Sequence, residues 1–391
     1  PNMTVKELIA RSKAAQAEFA FATQEQADAA AKAICKVVYD NAEKLGPMAA
    51  EESRMGSEQD KIAKCRNKSA LIWESLKGKK SCDIINRIEE RRMIEVAKPV
   101  GVVASIIPST NPVVTPMSNG AFALKCRNSV IFAPHPRAVK CTKLLVEMFR
   151  AELKKLGLPE DLVLGLEEVS NDLTSELMSA ADMVVATGGM GMVKAAYSSG
   201  KPAIGVGQGN VQCIVDEDAD IADAVGKIII GRAFDNGLIC LGEQTVFVPE
   251  DKEAEFVAEM KKQGGYLVEG EENVDKLREG LFPGGGAFSR VVVGMFADQV
   301  SDEIGLGAPK GTRVLFAKAK ALGAGDVLCR EKLCPVIAYM TYKTFKEGVA
   351  MMEANLDHEG KGHSIAVHSN TPENVEYAAI RCCVSRVVVN Q

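Results

Sequence analysis

The chain has 391 residues, 47 basic and 52 acidic side chains, a net charge of −5 and a 47% hydrophobic content. These proportions suit a folded chain of two or three domains and exclude long disorder. They also argue against nucleic acid as the main partner, because phosphate binding wants a basic surface. No stretch approaches the roughly 18 uncharged apolar residues of a bilayer span. The amino terminus lacks the basic, apolar and small-residue succession of a secretion signal, so a cytoplasmic location is expected.

Taken in chain order, the residues up to about position 80 read as helical. Thr4 with Glu7 and Thr23 with Gln26 fit capping boxes, and each precedes apolar residues at helical spacing. From Cys82 to Gly101 the pattern becomes alternating around a charged turn at residues 89–92, which predicts a long, partly exposed β-hairpin. Short apolar runs at residues 102–107, 129–133, 162–166, 183–187 and 203–206 then alternate with helical stretches. That alternation predicts right-handed βαβ units on a parallel sheet, with ligands at the carboxyl ends of the strands. A second alternating block begins with a strand at residues 244–248 and a helix at 252–263, and residues 283–286 read as a loop. The expected domains are 1–232, with a hairpin arm at about 82–100, and 233–391.

Eleven scattered cysteines show no CxxC pair, so they read as reduced thiols that mostly fill the core. Cys240 stands apart, because glycines flank it in the stretch FDNGLICLGEQ (residues 234–244) and let a substrate approach the backbone. A thiol needs only modest help to become a nucleophilic thiolate; the competing reading is a buried structural cysteine. Asn111, in PSTNP after the first parallel strand, is either an oxyanion donor or a plain turn residue. The glycines of ATGGMGMV (residues 186–193) open a helix whose amino end can take phosphate, although neither GxGxxG nor GxxxxGK[ST] occurs. The four histidines show no metal-ligand spacing, so no metal is expected. His363, in a glycine loop, is a candidate acid or base against the alternative of a hydrogen-bonded surface histidine.

Together with APHPR (residues 133–137), GVGQGN (205–210) and EKLCPV (331–336), these pieces resemble the aldehyde dehydrogenase superfamily in order and spacing. Within it they are most similar to the CoA-acylating branch and its succinate-semialdehyde members, with the sulfoacetaldehyde, acetaldehyde and propionaldehyde enzymes near. The resemblance implies an α/β fold of two doubly wound parallel-sheet domains, one for a nicotinamide cofactor and one catalytic, with the hairpin as an oligomerisation arm. It implies a reversible reaction of succinate semialdehyde or another small aldehyde with CoA and NAD or NADP, in a homodimer or higher homo-oligomer. It assigns Cys240 as nucleophile and Asn111, with the Cys240 N–H, as oxyanion donor. Thr187, Gly188 and Gly189 fall on the cofactor pyrophosphate turn. Ser109 and Thr110 fall beside the nicotinamide, and His135, Pro136 and Arg137 where the adenosine ribose is read. Glu331 and Leu333 fall on the nicotinamide ribose and ring.

Three departures carry information. Hydrolytic members place a water-activating glutamate in the segment matching residues 204–211, which here holds no carboxylate. General base catalysis is worth about 10²–10⁴-fold, so its loss favours thiol exchange over hydrolysis, with His363 a candidate to take the CoA proton. Arg137 stands near where NAD-preferring members carry a ribose-chelating glutamate, which leaves NAD against NADP open. Members usually continue beyond Gln391 with a glycine-rich loop and a final strand region. An acyl-phosphate reductase and an inactive nucleotide-binding assembly subunit are the competing readings.

Overall fold

The structure, a computed structural model, describes residues 3–391. The chain divides into two compact units that meet in sequence at Gly207 and Gln208. This boundary lies ahead of the expected 232/233 division.

The first unit opens with four helices, α1 (Val5–Phe19), α2 (Gln24–Asp40), α3 (Ala42–Ser53) and α4 (Glu58–Leu76). Both expected capping boxes form: the Thr4 and Thr23 hydroxyls accept the amides of Glu7 and Gln26, whose side chains accept in return. Next comes an antiparallel hairpin, β1 (Asp83–Ile88) with β2 (Met93–Ala97), turned by a short 3₁₀ segment. Its Ile84, Ile85, Met93, Ile94 and Val96 are all exposed.

The strands β3 (Val102–Ile107), β4 (Ser129–Pro134), β5 (Val163–Gly165), β6 (Met183–Thr187) and β7 (Ala203–Val206) build one parallel sheet in the order β5-β4-β3-β6-β7. The intervening helices are α5 (Val114–Lys125), α6 (Val139–Lys155), α7 (Asn171–Ala180) and α8 (Met190–Tyr197). Every residue of β3 and β4 is buried, as continuous apolar runs in a doubly covered sheet require. The alanine face of α2 allows close packing on α5, and the core there includes Ile34, Val38, Met117, Phe132 and Phe149.

The second unit is a seven-stranded parallel sheet, β10-β11-β12-β9-β8-β13-β14. Its strands are β8 (Val211–Val215), β9 (Glu243–Pro249), β10 (Gly265–Leu267), β11 (Val314–Lys318), β12 (Val336–Tyr342), β13 (Gly362–His368) and β14 (Val384–Val389). Its helices are α9 (Ile221–Ala233), α10 (Glu253–Lys262), α11 (Glu271–Leu281), α12 (Ala297–Ile304), α13 (Phe345–His358) and α14 (Pro372–Arg381). β8 escapes the sequence pattern because a glutamine interrupts its apolar run. Gln212 is nevertheless fully buried, donating to the Asn210 carbonyl (2.8 Å) and accepting from Asn355 (2.9 Å).

Phe132, fully buried in β4, should be costly to truncate. Phe132→Ala is expected to remove about 3–5 kcal/mol of stability, whereas Ile84→Ser on the exposed hairpin should change it by less than about 0.5 kcal/mol. Thermal unfolding of the two variants side by side checks both.

Candidate active site

In the first unit the chain runs from β3 to one side through β4 and β5, then returns to the other side of β3 as β6 and β7. The loops after β3 and β6 therefore diverge, and the crevice between such loops is where open α/β sheets take ligands. Ser109, Thr110 and Asn111, all half-buried, follow β3; the exposed His135, Pro136 and Arg137 follow β4. Thr187 ends β6, and Gly188 and Gly189 lead into α8. These sequence-derived candidates thus share one sheet edge.

The α8 turn has the properties of an anion cradle. Gly189 is the N-cap, no side chain caps it, and a Cβ added at Gly189 or Gly191 would meet nothing within 4 Å. Its amides are reachable by a pyrophosphate, so the residues present fit a dinucleotide. The amino end of α6 is different. Glu52, from α3, accepts the N–H groups of Lys140 (2.6 Å) and Cys141 (2.8 Å), so that end already holds its anion. The His135 Nδ1 accepts the Arg137 amide at 3.0 Å, which stiffens the turn ahead of it.

Beneath the β3 loop lie two lysines of α4. Lys61 and Lys64 are only 3% and 4% exposed. The Lys64 Nζ donates to the Asn111 Oδ1 at 2.9 Å, and the Lys61 Nζ to the Thr110 carbonyl at 3.4 Å.

In the second unit the polarity reverses. Gly209 and Asn210 precede β8, Cys240 precedes β9, Glu331 and Leu333 precede β12, and His363 is the second residue of β13. These four strands are neighbours in the order β12-β9-β8-β13 and all run parallel, so the candidates gather at their amino ends. The first unit's candidates thus lie at the carboxyl ends of its strands and the second unit's at the amino ends. The loops entering the strands, rather than those leaving them, hold the candidate residues there.

Cys240 is one of three exposed cysteines; the other eight are buried. The loop that presents it is built on strain. Asp235, Asn236 and Gly237 have φ of 47°, 53° and 78°, three consecutive left-handed residues of which two carry side chains. The fully buried Arg232, at the end of α9, holds this run in place. Its guanidinium donates to the Gly237 carbonyl before the thiol and to the Gly242 (3.4 Å) and Glu243 (3.5 Å) carbonyls after it. Asn236 donates to the Gly294 carbonyl at 2.9 Å. Gly237 must be glycine, since a Cβ there would sit 2.6 Å from the Cys334 carbonyl.

Gly209 has no room for a side chain either, because a Cβ would overlap the Cys240 carbonyl oxygen. Its N–H donates to Glu331 Oε1 at 2.8 Å, and the Glu331 N–H donates to Glu359 at 2.7 Å. Asn210 ties the same turn to the carbonyls of Cys329 and Glu359, at 2.9 and 2.8 Å. The Gln244 side-chain amide brackets Lys332, accepting its N–H at 2.9 Å and donating to its carbonyl at 3.2 Å. The fully buried Lys332 ammonium donates to the Leu328 and Arg330 carbonyls, and the Leu333 carbonyl accepts the Gly294 amide. Thiol loop, Gly209 turn and Glu331 loop thereby form one hydrogen-bonded block.

Burial sets the charges of this block. It pushes Glu331 up to about 6, Glu243 up to about 7 and Lys332 down to about 8. His363, whose Nδ1 lies 3.0 Å from the Ser364 hydroxyl, is pushed below the ordinary imidazole range by burial and by Arg386, which keeps it neutral near pH 7.

Sequence reasoning missed Arg232, Gln244, Asn210, Lys64 and Glu52 as supports. Helical spacing gives no sign that a lysine or arginine will be buried, because the same residue types ordinarily face water. Gln244 and Asn210 alone stood within motifs already singled out.

Gly209→Ala should displace the Cys240 loop and cut turnover at the thiol by on the order of 10²-fold; unchanged turnover would remove the contact's role. The Glu243 carboxyl is raised in the folded state, so its contribution to stability is complete below pH 4.5 and is lost as pH rises to about 7. Glu243→Gln should flatten that decline in a pH series of melting temperatures.

The aldehyde dehydrogenase family model matches residues 2–276. The chain is 47% identical over 390 residues to the succinate-semialdehyde dehydrogenase (acetylating) of Clostridium kluyveri, spanning 100% of this chain and 86% of that protein. The crystal structure of an acetylating aldehyde dehydrogenase from Geobacillus thermoglucosidasius superposes with a TM-score of 0.94 at 35% identity, over 99% of this chain and 85% of that one. The propionaldehyde dehydrogenase of Rhodopseudomonas palustris, solved with bound CoA and an acylated cysteine, superposes at 0.87 with 27% identity, over 100% and 88%. With its two parallel sheets, its open glycine turn and its exposed thiol loop, the chain belongs to the aldehyde dehydrogenase family, in the acylating branch.

Proposed function

We propose that the protein converts a small acid-bearing aldehyde, succinate semialdehyde in the first instance, to its CoA thioester with a nicotinamide dinucleotide as oxidant, and runs the reverse reduction as well. The observation that carries this reading is an exposed thiol in a pre-strained loop, next to a segment without a general base. Residues 204–211 hold no carboxylate, and the Glu331 oxygen that reaches them is already engaged by the Gly209 amide. A thioester formed on Cys240 has no group there to activate water, so it persists until another thiol arrives.

The chain's residues then divide the work. The first unit takes the cofactor, with Thr187, Gly188 and Gly189 on the pyrophosphate, Ser109 and Thr110 beside the nicotinamide, and His135, Pro136 and Arg137 at the adenosine ribose. The exposed Arg137 accommodates a 2′-phosphate, which makes NADP as acceptable as NAD. The nicotinamide, when bound, supplies the hydride acceptor. Cys240 thiolate adds to the aldehyde carbon, and Asn111 donates to the resulting oxyanion. Loss of hydride leaves an acyl thioester on Cys240. Neutral His363 takes the CoA thiol proton, the CoA sulfur attacks the thioester carbonyl, and Cys240 departs as thiolate. Glu331 and Leu333 hold the nicotinamide ribose and ring.

The exposed apolar residues of the β1–β2 hairpin support a homodimer or larger homo-oligomer assembled through that arm. Eleven cysteines without a disulfide, and no helix among the described residues long and apolar enough to cross a membrane, support a cytoplasmic setting.

The test follows nicotinamide reduction with succinate semialdehyde, sulfoacetaldehyde and acetaldehyde, using NAD and NADP, with and without CoA. Steady turnover should require CoA, with at most one equivalent of reduced cofactor formed in its absence. Cys240→Ala should fall by on the order of 10⁴-fold or more. A rate indifferent to CoA overturns the acylating assignment.

A further inference from the structure

Two ammonium groups in the first unit stand out because the fold has taken them out of water. Lysine is almost never fully buried unless something holds its charge. Yet Lys61 and Lys64, three residues apart and on one face of α4, are 3% and 4% exposed. Both point at the loop after β3: Lys61 reaches the Thr110 carbonyl and Lys64 the Asn111 side chain, at 2.9 Å from Oδ1.

The Lys64 contact has a chemical consequence. An asparagine side chain carries an acceptor and a donor of nearly equal size, so rotation by half a turn exchanges them. An ammonium only donates. With Lys64 against it, the carbonyl end of Asn111 must face α4, and the NH₂ end must face away. That NH₂ has the Thr110 hydroxyl at 3.4 Å, a long contact that orients without saturating it. A cation on the amide oxygen also draws electron density from the nitrogen, which makes its N–H groups stronger donors.

We propose that Lys64 is a positioning residue of the reaction: it locks Asn111 with its NH₂ outward and polarises it, so that the amide is pre-set to stabilise the oxyanion formed on Cys240. The inference rests on the oxyanion role proposed above for Asn111, and it adds the group that makes that role obligatory. Without Lys64 the amide can turn its oxygen toward a developing negative charge, where it repels. The substrate is bound as before, and the loss falls on the transition state.

The experiment is a double-mutant cycle on the purified enzyme with succinate semialdehyde, NAD or NADP, and CoA. Asn111→Ala should lower kcat by on the order of 10²–10³-fold. Lys64→Met, similar in length but unable to donate, should lower kcat by roughly ten- to a hundredfold, with KM for the aldehyde little changed. Lys64→Arg, which can still donate, should recover much of the loss. In the Asn111→Ala background Lys64→Met should cost almost nothing more, because its target is gone. If Lys64→Met is unstable, Lys64→Leu, which likewise cannot donate, carries the same cycle, and melting temperatures separate a packing defect from a catalytic one. Full activity of Asn111→Ala would overturn the oxyanion reading itself. Loss in Asn111→Ala, with Lys64→Met either fully active or additive with it, would leave that reading standing and overturn the positioning role.

Discussion

Everything proposed for the second unit depends on one buried guanidinium. Arg232 lies wholly inside the protein and donates through its two terminal nitrogens to the carbonyls of Gly237, Gly242 and Glu243, on both sides of Cys240. The three left-handed residues ahead of the thiol would relax to an ordinary turn if nothing held them, since each non-glycine member costs of order 1–3 kcal/mol. Desolvation lowers the Arg232 pKa, so the charge is held at a cost that its carbonyl partners and the nearby Glu331 and Glu243 oppose. A side chain with five fixed donors suits this task; a lysine has the charge but not the fork.

The two sheets deploy their residues with opposite polarity. In the first unit, candidates sit where parallel strands end and the connections diverge, and the open α8 amino end is the fixed positive partial charge of that edge. In the second, they sit where β8, β9, β12 and β13 begin. The Gly209–Asn210 turn is the hinge of this arrangement: it touches the Cys240 backbone, takes the Glu331 carboxylate and is covered by Gly360.

Support for the candidate loops comes repeatedly from charges and amides placed under them. Lys64 under Asn111, Glu52 on the α6 amides, Gln244 around Lys332 and Arg232 around the thiol loop each fix the orientation of the group they meet. Each is buried or half-buried, so its hydrogen bonds compete little with water and hold their geometry. Precise placement of a donor is worth more in such a site than an additional donor.

Local chemistry made much of this molecule readable from its residues. Capping boxes at Thr4 and Thr23, alternating apolar runs, the hairpin and the glycine-flanked Cys240 depend on neighbours a few positions apart, and those relations survive in the linear order. The absent carboxylate in residues 204–211 is likewise a property of composition alone. Tertiary structure decided which edge of each sheet carries the candidates, that β8 belongs to the second sheet, and which lysines, arginines and glutamates leave the solvent. Those outcomes follow from strand order and from partners 47 to 122 residues away, such as Lys64 with Asn111 and Gly209 with Glu331. A one-dimensional pattern cannot carry them, because burying a charge is decided by whatever the fold brings to meet it.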